Sequence, residues 1–148
     1  QDPGNLGTIL RTAVAAGVEA VWLSEDSVDP DSPKVLRASA GAWLHLAITT
    51  CVDLSDTIRT AQSRGIQVIA TSPQAQESYW DLDWTAPTLI LLGNEGAGLS
   101  PEIRLLADRQ VSIPVGMGVE SLNVAIAAAL LLYEVQRQRR DESNERVA

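Results

Sequence analysis

The sequence predicts an α/β domain built on a parallel sheet, and three features carry that reading. Apolar runs of about four to six residues, rich in β-formers, alternate with segments of helical apolar spacing. The helical segments open on capping residues and close on glycine. Glycine turns follow several of the strands, where an α/β domain can offer its main chain to a ligand.

In chain order, Asn5 to Ala16 carries Leu6, Ile9, Leu10, Ala13 and Val14 at helical spacing, and Gly17 is placed to end the helix. Asn5 stands just before that helix, where its ordinary role is an N-cap. Ala20 to Leu23 reads as a short buried strand. Ser32-Pro33 opens a short helix through Ala40 that stops at Gly41. Leu46 to Thr49 is a second strand, and Asp53 caps a helix to Arg64 that Gly65 terminates. Ile66 to Thr71 and Thr88 to Leu92 are strands. Ser100-Pro101 opens another helix, Val111 to Ile113 is a last strand, and Ser121 to Gln138 is a long apolar helix with Ser121 as its N-cap. Gln76 to Ala86, which holds Tyr79, Trp80 and Trp84, breaks the pattern and reads as an irregular loop. Its aromatics are expected to pack a core edge or a subunit interface more readily than to stack on a base.

A chain of 148 residues, 45% hydrophobic and 20% charged, suits one domain with a sizeable core. No apolar run approaches the ~20 residues that span a bilayer, and the polar opening is not that of a signal peptide. The single cysteine, Cys51, excludes an internal disulfide or a cysteine metal cluster and reads as a small buried hydrophobe at a strand end. A reducing, cytoplasmic setting is the expectation. Eleven basic against nineteen acidic residues give a net charge of −8, which repels a phosphate backbone at long range. The dense basic run Arg137, Arg139 and Arg140 is explained at least as well by a helix C-terminus as by RNA. His45, the only histidine, lies outside every glycine motif and reads as structural. Without it no serine–histidine triad or histidine metal site can be built, so no metal is expected.

Three distant stretches join glycine turns to polar side chains: Asp2-Pro3-Gly4-Asn5-Leu6-Gly7 running on to Arg11, Gly93-Asn94-Glu95-Gly96-Ala97-Gly98-Leu99-Ser100, and Ile113-Pro114-Val115-Gly116-Met117-Gly118-Val119-Glu120-Ser121-Leu122-Asn123. The second leaves an apolar strand, and open α/β sheets bind ligands at carboxyl strand ends. Its Gly-x-x-Gly-x-Gly spacing is neither a dinucleotide fingerprint nor a P-loop, which disfavours a Rossmann-type nucleotide enzyme. Glu95 either orients Arg11, holds a nucleotide or stabilises its own turn. Arg11 is either functional or a solvated surface cation. Asn123 is an odd choice at the start of an apolar helix unless something needs its amide.

In their order and polar residues, these motifs closely resemble those of the SpoU family of RNA 2′-O-ribose methyltransferases, part of the SPOUT superfamily. The resemblance runs from Asp2 to about Gln136. It implies methylation of a ribose 2′-hydroxyl in rRNA or tRNA. In the pattern Asn-x-Gly-x-x-x-Arg, matched at Asn5, Gly7 and Arg11, the arginine is implied to act at the ribose. There a guanidinium neutralises the adjoining phosphate and stabilises the developing alkoxide. Asn5, Glu95, Ser121 and Asn123 are implied in support. The implied cofactor is S-adenosylmethionine, held by Thr71, Gly93, Asn94, Gly96, Ile113, Pro114, Ser121, Leu122 and Asn123, largely through main-chain groups, with Ile113 and Leu122 packing on the adenine faces. The cofactor carries the difficult chemistry, so the reaction calls for no metal.

The resemblance continues through Pro33-Lys34-Val35-Leu36-Arg37-Ala38-Ser39-Ala40-Gly41-Ala42, where Lys34 and Arg37 either touch phosphate or are simply solvated. It also implies a C-terminal trefoil knot, which pattern alone would not suggest, and a homodimer. Val124 to Tyr133 is apolar all the way round and must be buried on most sides, part of it against a second subunit. The family's first motif follows a strand, whereas this chain opens at Gln1-Asp2-Pro3. Residues 1–148 are therefore expected to be a catalytic domain without its first strand and without an upstream RNA-binding domain. The alternative is a non-catalytic dimeric RNA-processing scaffold of the same fold, against which the intact motifs argue.

Overall fold

Burial on both faces is what turns the short apolar runs into parallel strands. The computed structural model of the protein describes residues 1–145. Strand β1 (Ala20–Ser24) pairs with β2 (Ala47–Cys51). A second sheet has the order β4 (Glu77–Ser78), β6 (Arg109–Ser112), β3 (Gln67–Thr71) and β5 (Thr88–Leu91). Every pairing is parallel. The strands thus form two sheets, each packed against helices.

The middle of the larger sheet shows why β3 reads as a continuous apolar run. Val68 and Ala70 face α3 (Leu54–Ser63) and α4 (Pro101–Leu106), in a cluster with Ile58 and Leu91. Ile69 faces the other way, against Trp84, Val111 and Leu131. All three β3 residues are fully buried. The smaller sheet packs Val21 and Ile48 on Leu10 and Ala13 of α1 (Pro3–Ala15) and on Val35 of α2 (Pro33–Ala38). Cys51 ends β2 half-buried, its thiol donating to the Leu23 carbonyl at 3.3 Å.

Local signals place the helix ends, with two corrections. Ser32, Asp53 and Ser100 cap as expected, and Gly17, Gly41 and Gly65 follow their helices with positive φ. Asn5, however, is not the cap of α1. Asp2 takes that place and accepts the Asn5 N–H at 2.8 Å, because the helix begins two residues earlier at Pro3. Ser121 likewise is not the cap of α5 (Val124–Glu145). Asn123 is, accepting the N–H groups of Ala125 at 2.9 Å and Ile126 at 3.3 Å.

Gly7 is a packing residue. A Cβ there would meet the Ala38 methyl and stand 2.8 Å from the Val35 carbonyl oxygen, so α1 rides directly on α2. Gly7→Ala is expected to destabilise the domain by roughly 1–3 kcal/mol, the range for overpacking a tight contact. Urea unfolding measures this, and an unchanged midpoint would show that the two helices separate at no cost.

The aromatic segment is mostly core, as its composition suggests, although it contains the two-residue strand β4. A strand that short leaves no periodic trace in a sequence. Tyr79 and Trp84 are buried, the indole N–H donating to the Tyr79 carbonyl at 2.8 Å, while Trp80 is 60% exposed. This segment holds the C-terminal half of α5. Gln138 accepts the Trp84 N–H at 2.9 Å and donates to the Leu82 carbonyl at 3.0 Å, and Arg139 donates to the carbonyls of Trp84 and Ala86. Arg137 pairs with Glu134 and Asp141. Within the basic run, Arg139 is thereby engaged by the aromatic segment and Arg137 by its own helix. No helix among the described residues is long and apolar enough to cross a membrane.

Candidate active site

In a parallel sheet the carboxyl ends of neighbouring strands share one edge, and here three such ends meet. Ala70 pairs with Leu91 and Thr71 with Val111, so the chain leaves β3, β5 and β6 side by side. The Thr71 hydroxyl donates to the Leu91 carbonyl at 3.0 Å, tying two of those ends together.

From β5 the chain enters a tight turn. Asn94 and Gly98 exchange main-chain hydrogen bonds of 3.2 and 2.8 Å, and the Asn94 side chain accepts the Gly96 N–H at 2.8 Å. Gly98 has φ of +67°, a conformation that glycine adopts without strain. Asn94 is therefore spent on the turn, and Glu95 is the side chain the turn presents. A Cβ at Gly93 would press on the main chain of Gly98 and Leu99, so glycine here permits the turn to fold back on itself.

Glu95 reaches across to the first helix. Its Oε1 accepts from Asn5 Nδ2 at 2.7 Å, and Asn5 Oδ1 accepts from Asn123 Nδ2 at 3.0 Å. The three motifs thus converge in one polar cluster, Glu95 and Asn123 lying 90 and 118 residues from Asn5. The hydrogen bond from Asn5, aided by a main-chain N–H, holds the Glu95 carboxyl below its ordinary pKa. At neutral pH it is a carboxylate.

The segment after β6 differs in character. Ile113 and Leu122 are half-buried, and the residues between them are exposed. Within that loop the main-chain hydrogen bond formed is Val119 N–H to the Gly116 carbonyl, at 3.3 Å. Most of its N–H and C=O groups therefore remain open to a ligand, between two apolar side chains. Ser121 is exposed beside Asn123.

Arg11 does not join the cluster. It is exposed on α1 and makes no ion pair with any described residue. By helical phase it lies between Gly7, which faces α2, and Thr8 and Thr12, which line an open groove of ≈ 750 Å³ against α5. Ile126, Leu130 and Tyr133 form the apolar wall of that groove and are 55%, 39% and 50% exposed. His45 is exposed at the end of a 3₁₀ turn (Ala42–His45) on the β1–β2 side of the molecule. Asp2 as the cap of α1 escaped the sequence reading, although Asp-Pro is itself a helix-start signal.

A parallel α/β domain that gathers glycine turns and polar side chains at the carboxyl ends of its strands defines a ligand-binding domain of the open-sheet class. The chain belongs to the SpoU rRNA Methylase family, whose model matches residues 1–133. It is 52% identical over 139 residues to an uncharacterized tRNA/rRNA methyltransferase of Synechocystis sp., an alignment covering 94% of this chain and 51% of that protein. It is 38% identical to the 23S rRNA (guanosine-2′-O-)-methyltransferase RlmB of Ralstonia nicotianae, covering 93% and 55%. Among solved structures, the SpoU methyltransferase AviRb from Streptomyces viridochromogenes, in complex with AdoMet, matches with a TM-score of 0.90 and 36% identity over 95% of this chain and 58% of that one. The chain spans about half the length of the curated relatives it matches.

Proposed function

We propose that this domain transfers a methyl group from S-adenosylmethionine to a ribose 2′-hydroxyl of rRNA or tRNA in the cytoplasm. The observation that carries the proposal is the convergence of Asn5, Glu95 and Asn123, one from each glycine motif, at the carboxyl edge of the parallel sheet. The residues present fit the cofactor. Thr71, Gly93, Gly96, Ile113, Pro114, Ser121 and Leu122 would hold it, with Asn94 and Asn123 shaping the segments that present them, the open main chain after β6 reading a base edge and Ile113 and Leu122 flanking its faces. When bound, the cofactor supplies an electrophilic methyl group. The chain's own task is then to align the hydroxyl and stabilise the charge that develops on it.

Arg11 is assigned that second role. A guanidinium holds its protons too tightly to serve as a simple base, so it acts electrostatically on the alkoxide and the adjoining phosphate. Arg11 makes no hydrogen bond to the cluster of its own chain, while Asn5 and Asn123 of that cluster line the α1–α5 groove, which supports a homodimer in which Arg11 of one subunit serves the cluster of the other. The uncovered Ile126, Leu130 and Tyr133 support the same two-fold contact. The proposal includes the C-terminal knot, a reading supported by membership of the family. Choice of the RNA is assigned to a part of the protein outside these residues, a reading supported by the charge of −8 and by the longer relatives.

Calorimetry with S-adenosylmethionine or S-adenosylhomocysteine tests the cofactor directly, and labelled-methyl transfer to tRNA and rRNA tests the reaction. A folded protein that binds neither ligand would leave the scaffold reading in its place. Gly93→Val is expected to abolish binding, because its side chain would displace the main chain of the Gly98–Leu99 turn. Unchanged affinity in that variant would remove the turn from the cofactor site.

A further inference from the structure

We propose that Asn123, Asn5 and Glu95 form a hydrogen-bond relay with one fixed direction, in which both asparagines are positioning residues and neither takes the ribose proton. The inference rests on the methyltransferase reading and sharpens what each side chain does in it. Asn123 Oδ1 accepts the main-chain N–H groups of Ala125 and Ile126, at 2.9 and 3.3 Å. A main-chain N–H can only donate, so this oxygen is fixed as the acceptor and both its lone pairs are used. The Asn123 amide nitrogen must then be the atom that points to Asn5, 3.0 Å away. Asn5 is fixed in turn: its oxygen accepts from Asn123, and its nitrogen donates to Glu95 Oε1 at 2.7 Å. The donor direction runs from the start of α5, through α1, to the turn after β5, and it ends on a group that can only accept.

Two consequences follow for the site. Asn123 keeps no lone pair for the hydrogen of a 2′-hydroxyl, so it cannot take that proton. Asn5 turns its oxygen toward Asn123 and its nitrogen toward Glu95, and so joins three elements that are remote in sequence. The helix that carries Arg11 is thereby locked to both loops assigned to the cofactor.

Asn5→Asp reverses one link, placing a second carboxylate against Glu95. Two carboxylates at hydrogen-bond distance share one proton, and the joint pKa of the pair rises. The charged group facing the pair is the Asp2 carboxylate that caps α1. A raised folded-state pKa contributes stability at low pH that is lost as pH rises through it. The unaltered protein behaves oppositely: the Asn5 hydrogen bond holds Glu95 below its ordinary pKa, so its contribution is lost only as pH falls.

The experiment measures thermal midpoint and calorimetric affinity for S-adenosylhomocysteine between about pH 8 and pH 5. Asn5→Asp should bind roughly tenfold or more weakly at the alkaline end, the factor carried by one hydrogen bond to a charged group, and should recover on acidification. In the double variant Asn5→Asp/Glu95→Gln, the new amide donates to the new carboxylate, which still accepts from Asn123. One negative charge and every link are kept, so affinity should return and its pH dependence should vanish. A double variant no better than Asn5→Asp at the alkaline end, or an Asn5→Asp protein that tracks the unaltered one throughout, would overturn the relay. If the unaltered protein binds no S-adenosylhomocysteine, the methyltransferase reading fails instead. The relay then stands or falls on the midpoints, which must rise with acidification in the single variant and not in the double.

Discussion

Arg11→Ala is expected to reduce methyl transfer to the cognate RNA by about two to three orders of magnitude, the loss that follows removal of one strong charge-stabilising group. Its affinity for S-adenosylmethionine should stay close to that of the unaltered protein, because Arg11 touches neither the Asn5–Glu95–Asn123 cluster nor the loops after β5 and β6 in its own chain. Arg11 is exposed and forms no ion pair with any described residue, so the fold should tolerate its loss as well. Single-turnover methylation, paired with calorimetry on the same preparation, separates the two effects. Arg11→Lys should recover little, since an ammonium lacks the planar fork that meets phosphate and alkoxide together. Near-normal turnover in Arg11→Ala would take the residue out of the reaction.

The second large effect separates two adjacent leucines. Leu131 is fully buried against Ile69, Trp84 and Val111, whereas Leu130 is 39% exposed in the α1–α5 groove. An aspartate at Leu131 would place an unpaired charge in the core and leave a cavity, costing roughly 4 kcal/mol or more. That is a large share of a stability of about 5–15 kcal/mol, so Leu131→Asp should be unfolded or nearly so. An aspartate at Leu130 can reach water in the free chain and should cost the fold about 1 kcal/mol or less. It would be desolvated in a two-fold contact, and should therefore leave a folded monomer. Light scattering at micromolar concentration should give twice the 15.8 kDa chain mass for the unaltered protein and the single chain mass for Leu130→Asp. A folded, dimeric Leu130→Asp protein would move the interface away from this groove.

The same helix marks how far sequence pattern reaches. A run that is apolar all round says that α5 is mostly enclosed, but not which flank its own fold covers. Ala125, Ala128 and Leu131 are taken by the domain, leaving Ile126, Leu130 and Tyr133 open, because α1 and the β sheets approach from one side. The aromatic segment behaves similarly. Its rings announced buried apolar mass, but the two-residue β4 depends on pairing with β6, a partner more than thirty residues away.

By itself the sequence determined the class of fold, the parallel strands, most of the helix caps and the three glycine motifs, since each of these is written in local periodicity or in residues a few positions apart. Only the tertiary structure decided that Asp2 and Asn123 cap where Asn5 and Ser121 were expected. It also decided that Gly7 serves helix packing, and that Glu95 turns to Asn5 and not to Arg11. A cap is settled by which oxygen reaches a free N–H once the helix start is fixed. A bond between residues 5 and 95 forms only when the packing of α1 beside the strand ends brings their side chains within 2.7 Å, and no local pattern encodes that distance.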